Sequence, residues 1–149
     1  MNNNMTFEQK VNSVINSYQS GSYIEAEAIA SDLLKKCKDD YKLLNIYGLI
    51  LLQLNKSEIA ISYFQRSTKI KPDFFDAFFN LSVAFNDLRK FEEAILPLKE
   101  CLKINPQSAQ TLTNKRNGRM AELVDALDSK SNGSNAVRVR VSLCPPIFL

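Results

Sequence analysis

The sequence contains no histidine and only four glycines among its 149 residues. Without histidine, the chain lacks a common zinc ligand and the usual base for a serine or cysteine nucleophile. Four scattered glycines also do not form a glycine-rich phosphate-binding loop. We therefore expect no metal site, no cofactor and no catalytic residue, so that the chain is not an enzyme.

Cysteines and long apolar runs are scarce as well. Cys37, Cys101 and Cys144 are widely spaced and form no CxxC pair, which is typical of reduced thiols in a cytosolic protein. The longest apolar stretch, from Ile46 to Leu52, is far shorter than the roughly 20 residues of a membrane helix. The N-terminus lacks the apolar core of a signal peptide. We therefore expect a cytoplasmic protein with no membrane partner.

A general excess of basic charge is also absent. The net charge is +3, but residues 1–114 hold 13 Lys/Arg and 13 Asp/Glu, so the surplus lies in residues 115–149. A neutral body lacks the basic face with which proteins bind nucleic acids. We expect neither nucleic acid nor a small-molecule substrate as a partner.

What the sequence does contain is an internal repeat. Prolines and apolar residues recur together at one constant step, which separates Pro72 from Pro106, Ala60 from Ala94, Ile61 from Ile95, and Ile70 from Ile104. Within a unit, apolar residues follow helical spacing twice, first at Leu44, Tyr47, Gly48 and Leu51 and then at Ile59, Ala60, Tyr63 and Phe64. The unit therefore predicts two helices, and the proline ends the second because it lacks an N–H group.

Small residues stand where the two helices of a unit are expected to cross. They are Gly48 and Ser82 on the first helices and Ala26, Ala60 and Ala94 on the second helices. Small side chains let two helix backbones approach, and larger neighbours fill the gaps beside them. Because one hairpin cannot bury its apolar face alone, about three are needed for stability.

Repeats 2 and 3 resemble the tetratricopeptide (TPR) motif, whose length is the same as the step from Pro72 to Pro106. The matching positions are Leu44, Tyr47, Gly48, Leu51, Ala60, Phe64, Ser67 and Pro72, and then Phe78, Leu81, Ser82, Phe85, Ala94, Leu98, Cys101 and Pro106. Repeat 1 resembles the motif in its second half, whereas its first helix is expected to be off register. The resemblance covers residues 7–106 and implies an all-α fold, a right-handed stack of three TPR helix hairpins that forms an α-solenoid.

The resemblance also divides the chain. It implies a disordered N-terminus at 1–6, a divergent TPR 1 at 7–40, TPR 2 at 41–74 and TPR 3 at 75–108. Pro97, inside the second helix of TPR 3, is expected to remove one helical hydrogen bond. Residues 109–117 are interpreted as an aborted fourth repeat, since Lys115 and Arg116 occupy its apolar and small positions. Residues 118–149 are expected to form an irregular tail.

The tail from Gly118 to Pro146 resembles a transfer-RNA gene read in one frame. Codons can be chosen so that Arg138 to Val141 encode the GTTCGAGTC of a T arm and Pro145 and Pro146 the CCA end. The stretch from Met120 to Asn132 can likewise encode a D arm and an anticodon arm. The alternative is a genuine tail, with a short helix near 119–128 that presents Met120, Leu123, Val124 and Leu127 on one side, and a strand from Val137 to Val141.

In TPR proteins the first helices of successive repeats line a concave groove. The resemblance implies that the partner-binding groove contains Lys42, Asn45, Leu49, Asp76, Phe79, Asn80, Val83 and Asn86. Phe79 is expected to point to the groove, unlike the neighbouring phenylalanines. A carboxylate clamp for chaperone C-termini is not expected, because the clamp positions hold Val11, Ile15, Ile46, Asp76 and Asn80, and its cations are missing.

The sequence thus predicts a non-catalytic protein-interaction module that binds a peptide or partner protein in the concave groove. The alternative is a truncated N-terminal TPR scaffold of a larger enzyme, such as a glycosyltransferase or sulfotransferase. The failure of the pattern in the fourth repeat favours an interrupted array.

Overall fold

The computed structural model describes residues 5–108, which form six α-helices and one turn of 3-10 helix. The helices are α1 (Phe7–Gln19), α2 (Tyr23–Lys36), α3 (Tyr41–Gln53), α4 (Ser57–Ile70), α5 (Phe75–Asp87) and α6 (Phe91–Ile104), and the 3-10 turn is Pro106–Ser108. No strand occurs within this range. The all-α prediction is confirmed as three hairpins, each with an A helix (α1, α3 or α5) and a B helix (α2, α4 or α6).

All three hairpins follow the step that separates Pro72 from Pro106. Each helix begins and ends one such step after its counterpart in the preceding hairpin. The prediction that the first helix is off register is therefore wrong. The buried residue of α1, Val14, stands at the position of Gly48 and Ser82. The prediction failed because α1 carries its other apolar residues, such as Val11 and Ile15, beside the signature positions rather than at them.

The A and B helices of each hairpin cross at small residues, as predicted. The small residues at the crossings are all buried: Ala26, Ala60, Ala94, Gly48 and Ser82. In the second hairpin, Gly48 lies against the ring of Phe64, so that a Cβ at Gly48 would be 2.5 Å from the Phe64 Cε1 atom. In the third hairpin, Ser82 and Leu98 take these two places and both are buried. A larger residue on the A helix is thus matched by a smaller one on the B helix.

The turn inside each hairpin contains one residue in the left-handed region. Gly21, Asn55 and Arg89 hold the same position in successive repeats and have φ values of 80°, 57° and 57°. At the second turn, the Lys56 N–H donates to the Leu51 carbonyl at 2.8 Å, and the Asn55 N–H donates to the carbonyl of residue 52 at 3.0 Å. These are the two bonds of a Schellman motif. Glycine adopts this conformation freely and asparagine tolerates it, whereas arginine is sterically strained.

A buried side chain ties the end of the second and third B helices to the start of their A helices. The Ser67 hydroxyl donates to the Tyr41 carbonyl at 2.8 Å, and the Cys101 thiol donates to the Phe75 carbonyl at 3.7 Å. Both side chains are fully buried. Cys101 therefore fills the structural place that serine fills one repeat earlier.

Two local features concern the predictions for helix ends and interiors. Pro97 lies in the second turn of α6, yet α6 has 14 residues, the same length as α2 and α4. The missing N–H therefore does not end the helix.

Thr6, expected in a disordered segment, instead caps α1: the Gln9 N–H donates to Thr6 Oγ1 at 3.3 Å, and the Thr6 N–H donates to Gln9 Oε1 at 2.9 Å. The predictions for residues 1–4, the aborted fourth repeat and the tail lie outside the described residues.

Candidate functional site

The three A helices form one layer of the stack. Helix α3 contacts both α1 and α5, and the B helices α2 and α4 each pack against their own A helix and the A helix that follows. The surface formed by the predicted groove residues and the A-helix positions beside them is named the inner face. The eight predicted groove residues are Lys42, Asn45, Leu49, Asp76, Phe79, Asn80, Val83 and Asn86.

The predicted groove residues differ in burial. Lys42 and Asp76 are exposed, Asn45 is only 6% exposed, and the other five are half-buried: Leu49, Phe79, Asn80, Val83 and Asn86. Half-buried side chains pack on their neighbours and still present a surface. Asn45 differs from the prediction, because it is too deeply buried to contact a partner directly.

The two asparagines predicted in the groove contact each other. The Asn80 Nδ2 group donates to Asn45 Oδ1 at 3.0 Å, which links α5 to α3 across two repeats. A side-chain amide has two N–H donors and an acceptor oxygen. This bond therefore leaves the Asn80 carbonyl oxygen and its second N–H outside the pair. Asn45 holds Asn80 in place, and Asn80 is the amide available at the surface.

Phe79 is less free than predicted. Its ring stacks on that of Phe75, with centroids 6.3 Å apart and planes 5° apart. It also packs with the buried Leu98 and Cys101 of α6. Phe79 is thus partly a packing residue between α5 and α6, and the expectation that it turns mainly to the groove is corrected.

The apolar part of the inner face is a row that crosses the stack. Ile15, Leu49 and Val83 occupy the same position in α1, α3 and α5, and all three are half-buried. Leu49 packs on the core of the first two hairpins and Val83 on the third. The row thus repeats a half-buried apolar side chain at one position of each hairpin.

Charge on the inner face is concentrated on α5. Asp76 lies in the first turn of this helix and Asp87 is its last residue, and both are exposed. Partial desolvation nevertheless raises the pKa of the Asp87 carboxyl. Lys42 of α3 lies 5.9 Å from the ring centroid of Tyr41. Asp87 is not among the predicted groove residues because it is the last residue of its helix, although its position four residues after Val83 places it on the same side of α5.

The family model of the ChAPs, described as Chs5p-Arf1p-binding proteins, matches residues 4–130. The chain belongs to the ChAPs family. The match spans the described hairpins and continues to residue 130, so it overlaps the start of the segment that resembles a transfer-RNA gene.

Two curated proteins are similar to part of this ChAPs-family chain. DnaJ homolog subfamily C member 3 of Homo sapiens is 28% identical over 91 residues, which are 61% of this chain and 18% of that protein. UDP-N-acetylglucosamine--peptide N-acetylglucosaminyltransferase of Giardia intestinalis is 27% identical over 67 residues, which are 45% of this chain and 4% of that protein. The chain therefore spans less than a fifth of the length of either relative.

Solved structures share the fold at low sequence identity. The type III secretion chaperone SycD of Yersinia enterocolitica, in complex with a peptide of the translocator YopD, has a TM-score of 0.70 and 18% identity, covering 87% of this chain and 99% of that one. The first TPR of Spaghetti (RPAP3), bound to the HSP90 peptide SRMEEVD, has a TM-score of 0.66 and 16% identity, covering 84% and 95%. With the family assignment, these matches make the ChAPs-family chain a TPR-type protein-interaction scaffold.

The remaining chemistry of residues 5–108 is sparse. This range contains no group of three or more Cys, Asp or Glu side chains placed to hold a metal ion. Burial raises the pKa of the Cys101 thiol to about 12, so this cysteine is not a nucleophile at neutral pH. Within the described helices none is long and apolar enough to cross a membrane. An open cleft at the first hairpin is lined by Met5, Lys10, Ser13, Ala28, Ile29 and Asp32, away from the inner face.

Proposed function

We propose that the chain is a non-catalytic adaptor whose inner face binds an extended segment of a partner polypeptide. One observation carries the proposal: Asn45 holds the half-buried Asn80 amide by a 3.0 Å hydrogen bond, beside the apolar residues Leu49 and Val83. An oriented amide next to a strip of apolar surface can bind backbone and side chains of one peptide together.

The polar chemistry of Asn80 favours an extended partner over a helical one. In a helix the backbone N–H and C=O groups are already bonded to each other, so they offer little to a side-chain amide. An extended or polyproline-type segment leaves these groups free. The second N–H and the carbonyl oxygen of Asn80 can therefore donate to and accept from such a backbone.

Other observations support a polypeptide partner. Two structurally similar proteins, SycD and RPAP3, hold peptides, and the family description names protein-binding proteins. The charge of residues 5–108 is balanced, with 13 Lys/Arg and 13 Asp/Glu, so this range has no basic excess to favour nucleic acid or an anionic membrane. We propose that the protein acts in the cytoplasm, where reduced cysteines are the rule.

A displayed library of random peptides, selected on the purified chain, tests the proposal. Peptides enriched on the wild-type chain should lose binding to Asn80→Ala and Leu49→Gln by about three- to tenfold, the range expected for one peptide-backbone hydrogen bond or one apolar contact. Gln65→Ala, an exposed amide on α4, is the matched control and should bind normally. Circular dichroism checks that each variant is folded. Equal losses from Gln65→Ala, or none from the inner-face variants, would place the site elsewhere.

A second candidate function is a TPR scaffold within a larger enzyme. The similarity to the Giardia glycosyltransferase, which covers 4% of that protein, favours it.

We also propose that codons 118–146 derive from a transfer-RNA gene. The nucleotide sequence tests this, because an RNA gene there must fold into a cloverleaf; if codons 118–146 cannot do so, the proposal is wrong.

A further inference from the structure

The inner face of α5 carries two carboxylates that stand outside the ion pairs of residues 5–108. Asp76 and Asp87 are 11 positions apart, which places them within about 20° of each other around the helix axis. The ion pairs of the described range involve other acids: Glu27, Asp32, Asp39, Asp73 and Glu100. Both Asp76 and Asp87 therefore remain available to a cation that comes from outside this range.

The negative charge is local to this surface. Residues 5–108 as a whole hold equal numbers of basic and acidic residues. On the inner face, however, Glu8, Asp76 and Asp87 outnumber Lys42, which is the equivalent of Glu8 and Asp76 in the second hairpin. Glu8 is on α1 and Lys42 on α3, whereas α5 carries two of these acids, so the most acidic part of the inner face is at the third hairpin.

The two carboxylates flank the residues proposed to hold the peptide. Asp87 lies four residues after Val83, and Asp76 lies four residues before Asn80, so each is one helical turn, or about 6 Å, from its neighbour along α5. If one peptide residue contacts Val83, a long side chain on the next peptide residue can therefore reach Asp87. The surrounding protein already desolvates Asp87 enough to raise the pKa of its carboxyl, and a bound cation would offset that desolvation.

We propose that the partner segment carries a lysine or arginine next to an apolar residue, so that the apolar side chain contacts Val83 and Leu49 while the cation pairs with Asp87. The inference rests on the proposed peptide-binding function and adds the charge of the peptide. It differs from recognition of an acidic tail, because an acidic segment would meet like charge at the third hairpin.

Three peptide pools labelled with fluorescein test the inference by anisotropy with the full chain. Each pool has random residues around a fixed pair, an aliphatic residue followed by Lys/Arg, by Gln or by Asp/Glu. The Lys/Arg pool should bind about fivefold more tightly than the Gln pool, as expected for one partly exposed ion pair. This preference should shrink as salt rises from about 0.05 M to about 0.5 M, because the shorter Debye length screens the pair.

Charge variants at one position supply the specific readout. Asp87→Asn should bring the Lys/Arg and Gln pools within about twofold of each other, and Asp87→Lys should reverse the preference toward the Asp/Glu pool. Glu58→Gln, an exposed acid on the B helix α4, is the matched control and should keep the wild-type preference.

The contrary outcomes separate the two proposals. If all pools bind equally and Leu49→Gln still weakens them, the inner face binds peptides and the inference about charge is wrong. The inference is also wrong if the Lys/Arg preference survives replacement of both Asp76 and Asp87 by Asn. If no pool binds, or if binding ignores Asn80→Ala and Leu49→Gln, the proposed function itself fails and the inference fails with it.

Discussion

The crossing of α3 and α4 allows a quantitative prediction for Gly48→Ala. An ideal Cβ at Gly48 would lie 2.5, 2.7 and 2.9 Å from three ring carbons of Phe64, whereas carbon atoms pack best at about 3.5–4.0 Å. Phe64 is fully buried, so its ring has no solvent-filled space into which to move. We expect overpacking of up to about 3 kcal/mol, reduced by about 1 kcal/mol because alanine favours helix over glycine. The net loss of unfolding free energy is then about 2 kcal/mol.

The third hairpin shows which change should relieve this overlap. Ser82 and Leu98 occupy the places of Gly48 and Phe64, and the Ser82 hydroxyl donates to the Phe79 carbonyl at 2.6 Å. We expect Gly48→Ser alone to cost about 2 kcal/mol and Phe64→Leu alone to cost about 1 kcal/mol. The double variant recreates the Ser–Leu pair and should lose about 1 kcal/mol in all, which corresponds to a coupling of about 2 kcal/mol.

Urea unfolding of the full chain, followed by circular dichroism, measures this cycle. With a slope of about 2 kcal/mol per molar urea, each loss of about 2 kcal/mol lowers the midpoint by about 1 M. Ser82→Ala is the matched control, since Leu98 stands there in place of the Phe64 ring, and it should cost less than about 1 kcal/mol. If Gly48→Ala raised the midpoint, or if the two single losses added in the double variant, the close contact between Gly48 and Phe64 would be refuted.

Three further predictions concern particular side chains. Arg89→Gly should raise the unfolding free energy by about 0.5–1 kcal/mol, because Arg89 has a positive φ, whereas Asn55→Gly at the equivalent turn should change it little; urea midpoints compare the two. Cys101→Ser should keep wild-type stability and Cys101→Ala should lose about 1 kcal/mol, because Ser67 makes the same hydrogen bond one repeat earlier; equal loss in both would argue against that bond. Asp87→Asn should raise the melting temperature at neutral pH, and the gain should vanish as pH falls through the raised pKa of Asp87, because the folded state then binds the proton that relieves the desolvated carboxylate. A gain that persisted in acid would assign the effect to something other than charge.

The helices could be predicted from the sequence because their signal is periodic. Pro72, Pro106 and the paired alanines mark a step that every helix of the three hairpins follows. The first helix was misjudged because Val11 and Ile15 stand beside the signature positions. A helix can keep the register of the repeat when a single residue, here Val14, fills the position where it crosses its partner helix. A comparison of signature residues does not detect this.

The site was less predictable because it depends on contacts between helices. The bond from Asn80 to Asn45 joins residues 35 positions apart, and equivalence between repeats pairs Asn80 with Ile46 instead. Helical phase alone also pointed Phe79 to the groove, whereas in the fold its ring stacks on Phe75 and packs toward α6. The neighbours of a half-buried side chain in the fold decide which of its faces is covered, and the spacing of residues in the sequence does not show them.

The most direct test of the peptide-binding account is an NMR titration of the isotope-labelled chain with a peptide selected from the displayed library. Binding at the inner face predicts that the largest amide shift changes occur at α3 and α5, around Leu49, Asn80 and Val83, with the side-chain amide of Asn80 among them. Shift changes confined to α4 and α6, or to the cleft around Lys10 at the first hairpin, would contradict it.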